Sequence, residues 1–267
     1  MGKVSVAVES LILMNNVRYL QLCAGESAEQ VIHSVDVTKF SHHLITWGQQ
    51  NFRPFPWRFT ENPYHILVAE VMLHRTQALQ VVPVYEQFIR RYPNVTALAQ
   101  ASKAELLTIL HSLGLHQRID LLHTMASQLA NHHHGEIPFD KRELLNLAGV
   151  SDYIASAVRC FGWNQPEPII DTNSVRVVSR LFLIEARDSS RRNRHFKTAI
   201  ATLVDAIEPR TYNYALLDLA AQICVKREHP HCEQCPVSDV CAYGTATLNR
   251  RQYNFRNVSV LKFAIVC

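Results

Sequence analysis

Four cysteines, Cys224, Cys232, Cys235 and Cys241, fall within eighteen residues, separated by seven, two and five others. The Cys-x2-Cys pair can bring two thiolates to one centre, and the wider loops let the other two join it. That count suits tetrahedral zinc and a four-iron cluster equally. No open ligand position or neighbouring base is evident, so such a centre would clamp the chain rather than react. Four thiolates also need compensating charge, for which Lys226, Arg227 and Arg250 are nearby. Cys23, Cys160 and Cys267 stand alone. An odd total argues against a disulfide framework and for a reducing compartment.

Two acids and one turn carry the remaining chemistry. Glu70 lies in the apolar run Leu67–Leu73. An acid there is costly unless paired or set in a cleft, and partial burial would raise its pKa and suit it to proton donation. A surface glutamate or a structural ion pair is the plainer alternative. Asp171 follows Pro168-Ile169-Ile170 and precedes a helical stretch, where its carboxylate can cap orphan N–H groups. A carboxylate fixed in that way can also stand beside developing positive charge. Between these acids, Leu144 to Ala157 reads as a helix, a sharp turn at Gly149, and a second helix. The small side chains Ala155, Ser156 and Ala157 permit close packing. The turn would expose backbone N–H groups beside a helix N-terminus, a cradle for phosphate. An ordinary αα-hairpin that binds nothing would have the same sequence.

The elements that must hold these groups are helical. Phe40, Leu44 and Trp47 make one apolar stripe, and Phe52 to Arg58, with two prolines, ends that helix. Asn62-Pro63 opens the next, carrying Ile66, Leu67, Glu70, Val71, Leu73 and Leu79, and Val81 to Phe88 suggests another. Ser102 and Glu105 have capping-box spacing. Gly114-Leu115 breaks the pattern, Ile119 to Leu129 resumes it, and His134 to Pro138 is a loop. The spacing predicts short helices at Lys141–Leu147 and Asp152–Phe161, then an extended Pro166–Ile170. Asp171-Thr172-Asn173 starts a helix with Val175, Val178 and Leu181. Residues 187–197 are highly charged and read as an exposed loop or helix start, followed by helices at His195–Ala206 and Tyr212–Cys224. Strand alternation is absent from 40–241, so the body is all-α. Residues 1–37 form an N-terminal extension with a possible β-hairpin, and Val258–Val266 could make one strand.

Composition sets the outer limits. The 267 residues suffice for a substantial core in one domain or two lobes. At 48% hydrophobic the chain is not wholly disordered, and with 8 glycines it is not a glycine repeat. No apolar run approaches transmembrane length. The first six residues carry one positive charge and run on to Glu9, which is no convincing secretory signal. A cytoplasmic location, with nucleoid DNA if prokaryotic, is expected. The net charge of +4 permits a polyanionic partner without requiring one.

Taken together, the residues resemble the helix-hairpin-helix DNA glycosylases of the endonuclease III and MutY kind. The matching text is Phe55-Pro56-Trp57-Arg58, Asn62-Pro63-Tyr64, Ala69 through Gln77, the 144–157 hairpin, Ile170-Asp171-Thr172-Asn173 and the four cysteines. It covers roughly residues 38–243. The resemblance implies two helical lobes. One, at 64–166, would have six helices and carry the hairpin; the other would join 38–63 with 167–243. Residues 244–267 would be a short tail. It implies that the cysteine loop holds a [4Fe-4S] cluster, which decides for iron over zinc. The first cysteine interval is one residue longer than usual. The hairpin reads Leu-Ala-Gly-Val-Ser where the family has Leu-Pro-Gly-Val-Gly, so Ala148 and Ser151 replace a proline and a glycine.

The implied partner is double-stranded DNA containing a mismatched or damaged base, bound by a monomer with no role for a membrane. An everted nucleotide would enter a groove between the lobes. The implied catalytic residues are Asp171, Glu70 and Tyr153. Asp171 would stabilise the oxocarbenium-like sugar, and Glu70 would assist base departure. Gly149, Ser151, His74, Arg75, Thr76 and Gln77 would bind DNA. Tyr153 stands where the endonuclease III branch has its Schiff-base lysine, which implies a glycosylase without efficient strand cleavage. Tyr153 and His74-Arg75-Thr76 match the thymine mismatch branch, Mig; Gln77 matches the adenine branch, MutY. That branch commonly carries a large C-terminal domain, and only 26 residues follow Cys241 here. Excision of thymine, and uracil, opposite guanine is therefore the expected activity. Adenine removal from A·G or A·8-oxoguanine is the alternative, and mismatch binding without catalysis a third.

Overall fold

The computed structural model describes residues 35–252, apart from 115, 185, 188, 227 and 228. The N-terminal hairpin and the strand at 258–266 expected from the sequence lie outside the described residues. Within them the regular elements are twelve α-helices and four 3-10 turns, an all-α architecture. None of these helices is long and apolar enough to cross a membrane. The chain divides into two compact units. The first draws on residues up to Phe52, Ile170–Asp205 and Thr211 onward; the second comprises Arg53–Ile169 and Ala206–Arg210.

In the first unit, α1 (Val37–Gln50) starts at Asp36, whose Oδ1 accepts the Lys39 amide at 2.9 Å. Its stripe is buried at Phe40 and Leu44, with Trp47 packed at the core's edge. Helices α9 (Thr172–Leu181), α10 (Arg194–Leu203) and α11 (Pro209–Gln222) add Val178, Leu181, Phe196, Ile200, Leu203, Tyr212 and Leu216 to the same core. Burial of a side chain of this size stabilises the fold by about 1.5–3 kcal/mol. The charged stretch at 187–197 resolves into a 3-10 turn and the capped start of α10, with Arg191, Arg192 and Arg194 exposed and Phe196 buried. Helix α12 (Ala242–Gln252) packs against α9 within what the sequence suggests is a tail.

The second unit opens on Phe55–Arg58. Phe55 stacks on Trp57 with centroids 5.1 Å apart, and the Arg53 and Arg58 guanidinium groups lie over the Phe55 ring. Helix α2 (Pro63–Leu73) is capped by Asn62, has proline at its first position, and buries Tyr64 and every residue from Ile66 to Met72. Burial on nearly all sides explains the lack of a polar stripe in its sequence. Its main neighbour is α8 (Asp152–Trp163), whose Ala155, Ser156 and Ala157 are all buried and let the helices approach closely. Between them run α3 (Ala78–Arg91), α4 (Val95–Ala99), α5 (Lys103–Leu110), α6 (His116–His132) and α7 (Lys141–Leu145). The Ser102–Glu105 capping box at the start of α5 is formed in both directions. The sequence places Leu79 on α2. It belongs instead to α3, 78% exposed, because α2 stops at Leu73 and Arg75 turns the chain with φ 64°. No glycine or proline marks that break.

Gly48 of α1 marks a close approach within the first unit: a Cβ built there would lie 2.4 Å from Ala215 Cβ. Alanine gains about 1 kcal/mol of helix propensity over glycine, whereas overpacking costs about 1–3 kcal/mol. Gly48→Ala should therefore lower the urea midpoint, and adding Ala215→Gly should recover much of the loss. A raised midpoint in the single variant would show that the helices are not in close contact there.

Candidate active site and hairpin

Asp171 is the N-cap of α9, and its carboxylate is tied on every side. Oδ1 accepts the amides of Asn173 and Ser174, each at 2.8 Å, and Oδ2 accepts Asn173 Nδ2 at 2.6 Å. In return the Asp171 amide donates to Ser174 Oγ at 2.9 Å, completing a capping box. The side chain is half-buried. The network continues away from it. Asn173 Oδ1 accepts from Arg176, which also donates to the carbonyls of Ala220 and Cys224, both at 2.8 Å. Burial lowers the Arg176 pKa. A carboxylate held this rigidly needs no reorganisation to stabilise a positive charge forming beside it.

The hairpin lies in the second unit. Asp140 caps α7 by accepting the amides of Arg142 and Glu143. The turn passes through Gly149 at φ 79°, a conformation in which a side chain is strained, and a Cβ there would also come 3.1 Å from Leu121. Ser151 caps α8, its Oγ accepting the Ile154 amide at 3.3 Å. The two departures from the family's hairpin thus keep a turn with a helix N-terminus at its end. Beside it is a cavity of about 160 Å³, lined by Val71, His74, Leu122, Gly149, Ser151 and Ile154 among others. His74, Gly149 and Ser151 are therefore brought together. Glu70, 5% exposed on α2, and Tyr153, half-buried in the first turn of α8, each adjoin a cavity-lining residue in the chain. Arg75, Thr76 and Gln77 form the connector from α2 to α3, with Arg75 and Gln77 exposed. Asp171 and the four cysteines belong to the first unit.

The cysteine segment corrects the cofactor expectation. Among the described residues, no group of three or more histidine, cysteine, aspartate or glutamate side chains is arranged to hold a metal ion, so the [4Fe-4S] cluster is not supported. The sulfurs are otherwise engaged. Cys224 Sγ accepts from Arg180 at 3.2 Å, and Cys241 Sγ accepts the Gly244 amide at 3.4 Å and donates to the Arg180 carbonyl at 3.5 Å. Burial pushes the Cys235 and Cys241 thiols up to about 12, and the other cysteines add to the rise. The spacing can indicate neighbouring thiols but not whether they converge on one centre. Arg176 and Arg180 of α9, distant in sequence, reach the start of this segment at Cys224 and Val225, and Lys39 of α1 pairs with Asp239; Arg227 lies outside the described residues.

Sequence reasoning also missed Glu167. Its carboxylate accepts from Lys141 Nζ of α7 at 2.9 Å and from Arg159 Nε and Ser156 Oγ of α8 at 2.6 and 3.2 Å. It therefore ties both hairpin helices to the segment leading to Asp171. Burial alone would raise its pKa, but the Lys141 and Arg159 hydrogen bonds together outweigh that and hold it below the ordinary 4.5. An acid in a proline-flanked loop gave no signal.

Two helical units, one with a helix-hairpin-helix and the other with a capped aspartate, form the fold of the helix-hairpin-helix glycosylases. A family model described as HhH-GPD superfamily base excision DNA repair protein matches residues 68–201. Thymine-DNA glycosylase from Aeropyrum pernix is 39% identical over 208 residues, 75% of this chain and 92% of that protein. Adenine DNA glycosylase from Mycobacterium tuberculosis is 36% identical over 204 residues, 75% of this chain and 66% of that protein. A solved structure of a thermostable thymine-DNA glycosylase superposes with a TM-score of 0.73 at 30% identity, covering 79% of this chain and 97% of that one. The chain belongs to the HhH-GPD superfamily of base excision DNA repair proteins, and it is a DNA glycosylase.

Removing the Glu167 carboxylate leaves Lys141 and Arg159 without a shared partner. Glu167→Ala should cost about 1–3 kcal/mol at neutral pH. Because the folded pKa is depressed, this contribution is present above 4.5 and is lost as pH falls through the folded value. The gap between wild type and variant in urea denaturation should therefore narrow below that pH. A gap constant from pH 7 to pH 3 would show that the ion pairs do not contribute.

Proposed function

We propose that this glycosylase is monofunctional and removes thymine, and uracil, opposite guanine in duplex DNA. The observation that carries the reading is Tyr153 in the first turn of α8, next in the chain to Ile154, which lines the hairpin cavity. A phenol has no amine with which to form a Schiff base on the sugar, so no route to strand cleavage passes through it. The identity to a thymine-DNA glycosylase along 92% of that protein supports the same substrate class.

In this reading the substrate base is flipped out of the duplex at a cost of a few kcal/mol, smaller for a mismatch. Phosphate binding at the hairpin offsets part of that cost. The C1′–N bond then breaks, its electron pair leaving with the base. Glu70 supplies the proton the base needs, directly or through water. Asp171 stabilises the positive charge on the sugar and orients the water whose oxygen bonds to C1′; that water's proton passes to solvent. Arg75, exposed on the α2–α3 connector with its main chain in the left-handed region, reaches for the estranged guanine, which offers two major-groove acceptors. Exposed Arg191, Arg192 and Arg194 add positive charge for the DNA backbone. The protein acts as a monomer. Adenine excision is the second reading, favoured by Gln77 and by the 36% identity to an adenine DNA glycosylase.

The test is a panel of labelled duplexes containing G·T, G·U, A·G or A·8-oxoguanine, incubated with the protein and divided into alkali-treated and untreated halves. Breaks at G·T and G·U that require alkali are expected. Turnover of A·8-oxoguanine with inert G·T would replace the substrate assignment. Strand breaks without alkali would end the monofunctional reading.

A further inference from the structure

Helix α6 backs the hairpin turn with two side chains seven residues apart, Leu121 and Gln128. Leu121 lies against Gly149. Gln128 is half-buried and makes two contacts with the main chain of the turn: its Oε1 accepts the Ala148 amide at 2.7 Å, and its Nε2 donates to the Asn146 carbonyl at 3.4 Å. The reverse orientation of the carboxamide would set donor against donor and acceptor against acceptor, so the chemistry fixes this one. The short bond is the stronger of the two. Elsewhere in the turn the Leu147 amide is bonded to Leu144 and the Val150 amide to Leu147. The amides of Gly149 and Ser151 have no hydrogen-bond partner among the described residues, and both residues are exposed. The turn thus has one amide tied down by a side chain from outside the hairpin and two left open.

We propose that Gln128 is a positioning residue for DNA binding. It fixes the main chain at Asn146–Ala148 so that the open amides of Gly149 and Ser151 present themselves together to a backbone phosphate. This rests on the reading of the hairpin as the phosphate grip. The role is tied to residue 148. Alanine there brings an N–H that must be satisfied and a φ that is free to move, and Gln128 answers both. Proline at 148 would remove the donor and fix φ by its ring, leaving the glutamine nothing to accept. Gln128 and Ala148 therefore work as a pair.

The experiment is a double-mutant cycle on the full-length protein with Gln128→Leu, Ala148→Pro and the combination. Affinity is measured on a duplex carrying a tetrahydrofuran abasic analogue opposite guanine. The excision rate is measured in single turnover at saturating enzyme, on the duplex the panel shows to be a substrate. Gln128→Leu should weaken duplex binding by about tenfold, the scale of one lost hydrogen bond. The saturated excision rate should stay within about twofold, since the contact positions the grip and not the reacting atoms. In the Ala148→Pro background the same substitution should leave affinity unchanged. Should the proline variant fail to fold, hydrogen exchange at the Ala148 amide tests the same contact: it should be protected in the wild type and at least about tenfold faster in Gln128→Leu. Unchanged affinity in Gln128→Leu, equal losses in both backgrounds, or an unprotected Ala148 amide would overturn the inference. Gly149→Val is the control for the underlying reading. If it binds the duplex as well as wild type, the hairpin is not the grip and that reading fails. If it weakens binding while Gln128→Leu does not, only the present inference fails.

Discussion

The amides in the first turn of a helix have no partner within that helix, and every helix start must satisfy or expose them. This chain meets that constraint repeatedly with short polar side chains: Asp36, Asn62, Asn94, Ser102, Asp140, Ser151, Asp171 and Asn193 all cap helices. At two of them, in the function proposed above, the ordinary requirement coincides with chemistry. At Asp171 the amides of α9 hold a carboxylate in one place. At the hairpin, Ser151 caps α8 while its own amide and that of Gly149 stay open, and the positive end of the helix dipole lies there as well. The same unsatisfied groups thus fix an anion of the protein's own in one unit and leave room for an anion from outside in the other.

Both ends are supported from behind. Asn173 bonds Asp171 on one side and Arg176 on the other, and Arg176 is anchored to carbonyls at the end of α11 and in the cysteine segment. Arg180, one turn further along α9, binds the Cys224 sulfur and the Val225 carbonyl. The cysteine segment is therefore joined to the aspartate's helix by arginine hydrogen bonds. On the hairpin side, Glu167 draws Lys141, Ser156 and Arg159 together, and α6 backs the turn. Charge-assisted bonds of this kind are shorter and stronger than neutral ones, which suits parts that must not yield when a ligand arrives.

Much of the helical body can be read from the sequence because its signals are local. The stripe of Phe40 and Leu44, the Asn62-Pro63 start, the Ser102–Glu105 box and the Asp171 cap each depend on residues within a turn or two. The hairpin turn was legible because Gly149 stands between two apolar helices. What escaped depended on distant partners or on backbone conformation. Nothing around Arg75 announces a left-handed residue, so the sequence pattern runs α2 on to Leu79. Glu167 and Gln128 are unremarkable in sequence, and their importance comes from groups up to 26 residues away. The cysteine spacing indicated neighbouring thiols, but no metal-holding group forms among the described residues, and there the cluster expectation gave way.

The most direct measurement compares wild type with Asp171→Asn on a G·T duplex, following both equilibrium binding and single-turnover excision. Asparagine is as good an N-cap as aspartate, so α9 should start as before while the charge is removed. Duplex affinity should remain near that of the wild type, and excision should fall by about a hundredfold or more, the scale seen when a transition-state electrostatic contact is deleted. Excision at the wild-type rate in a folded, DNA-binding variant would contradict the role of this carboxylate.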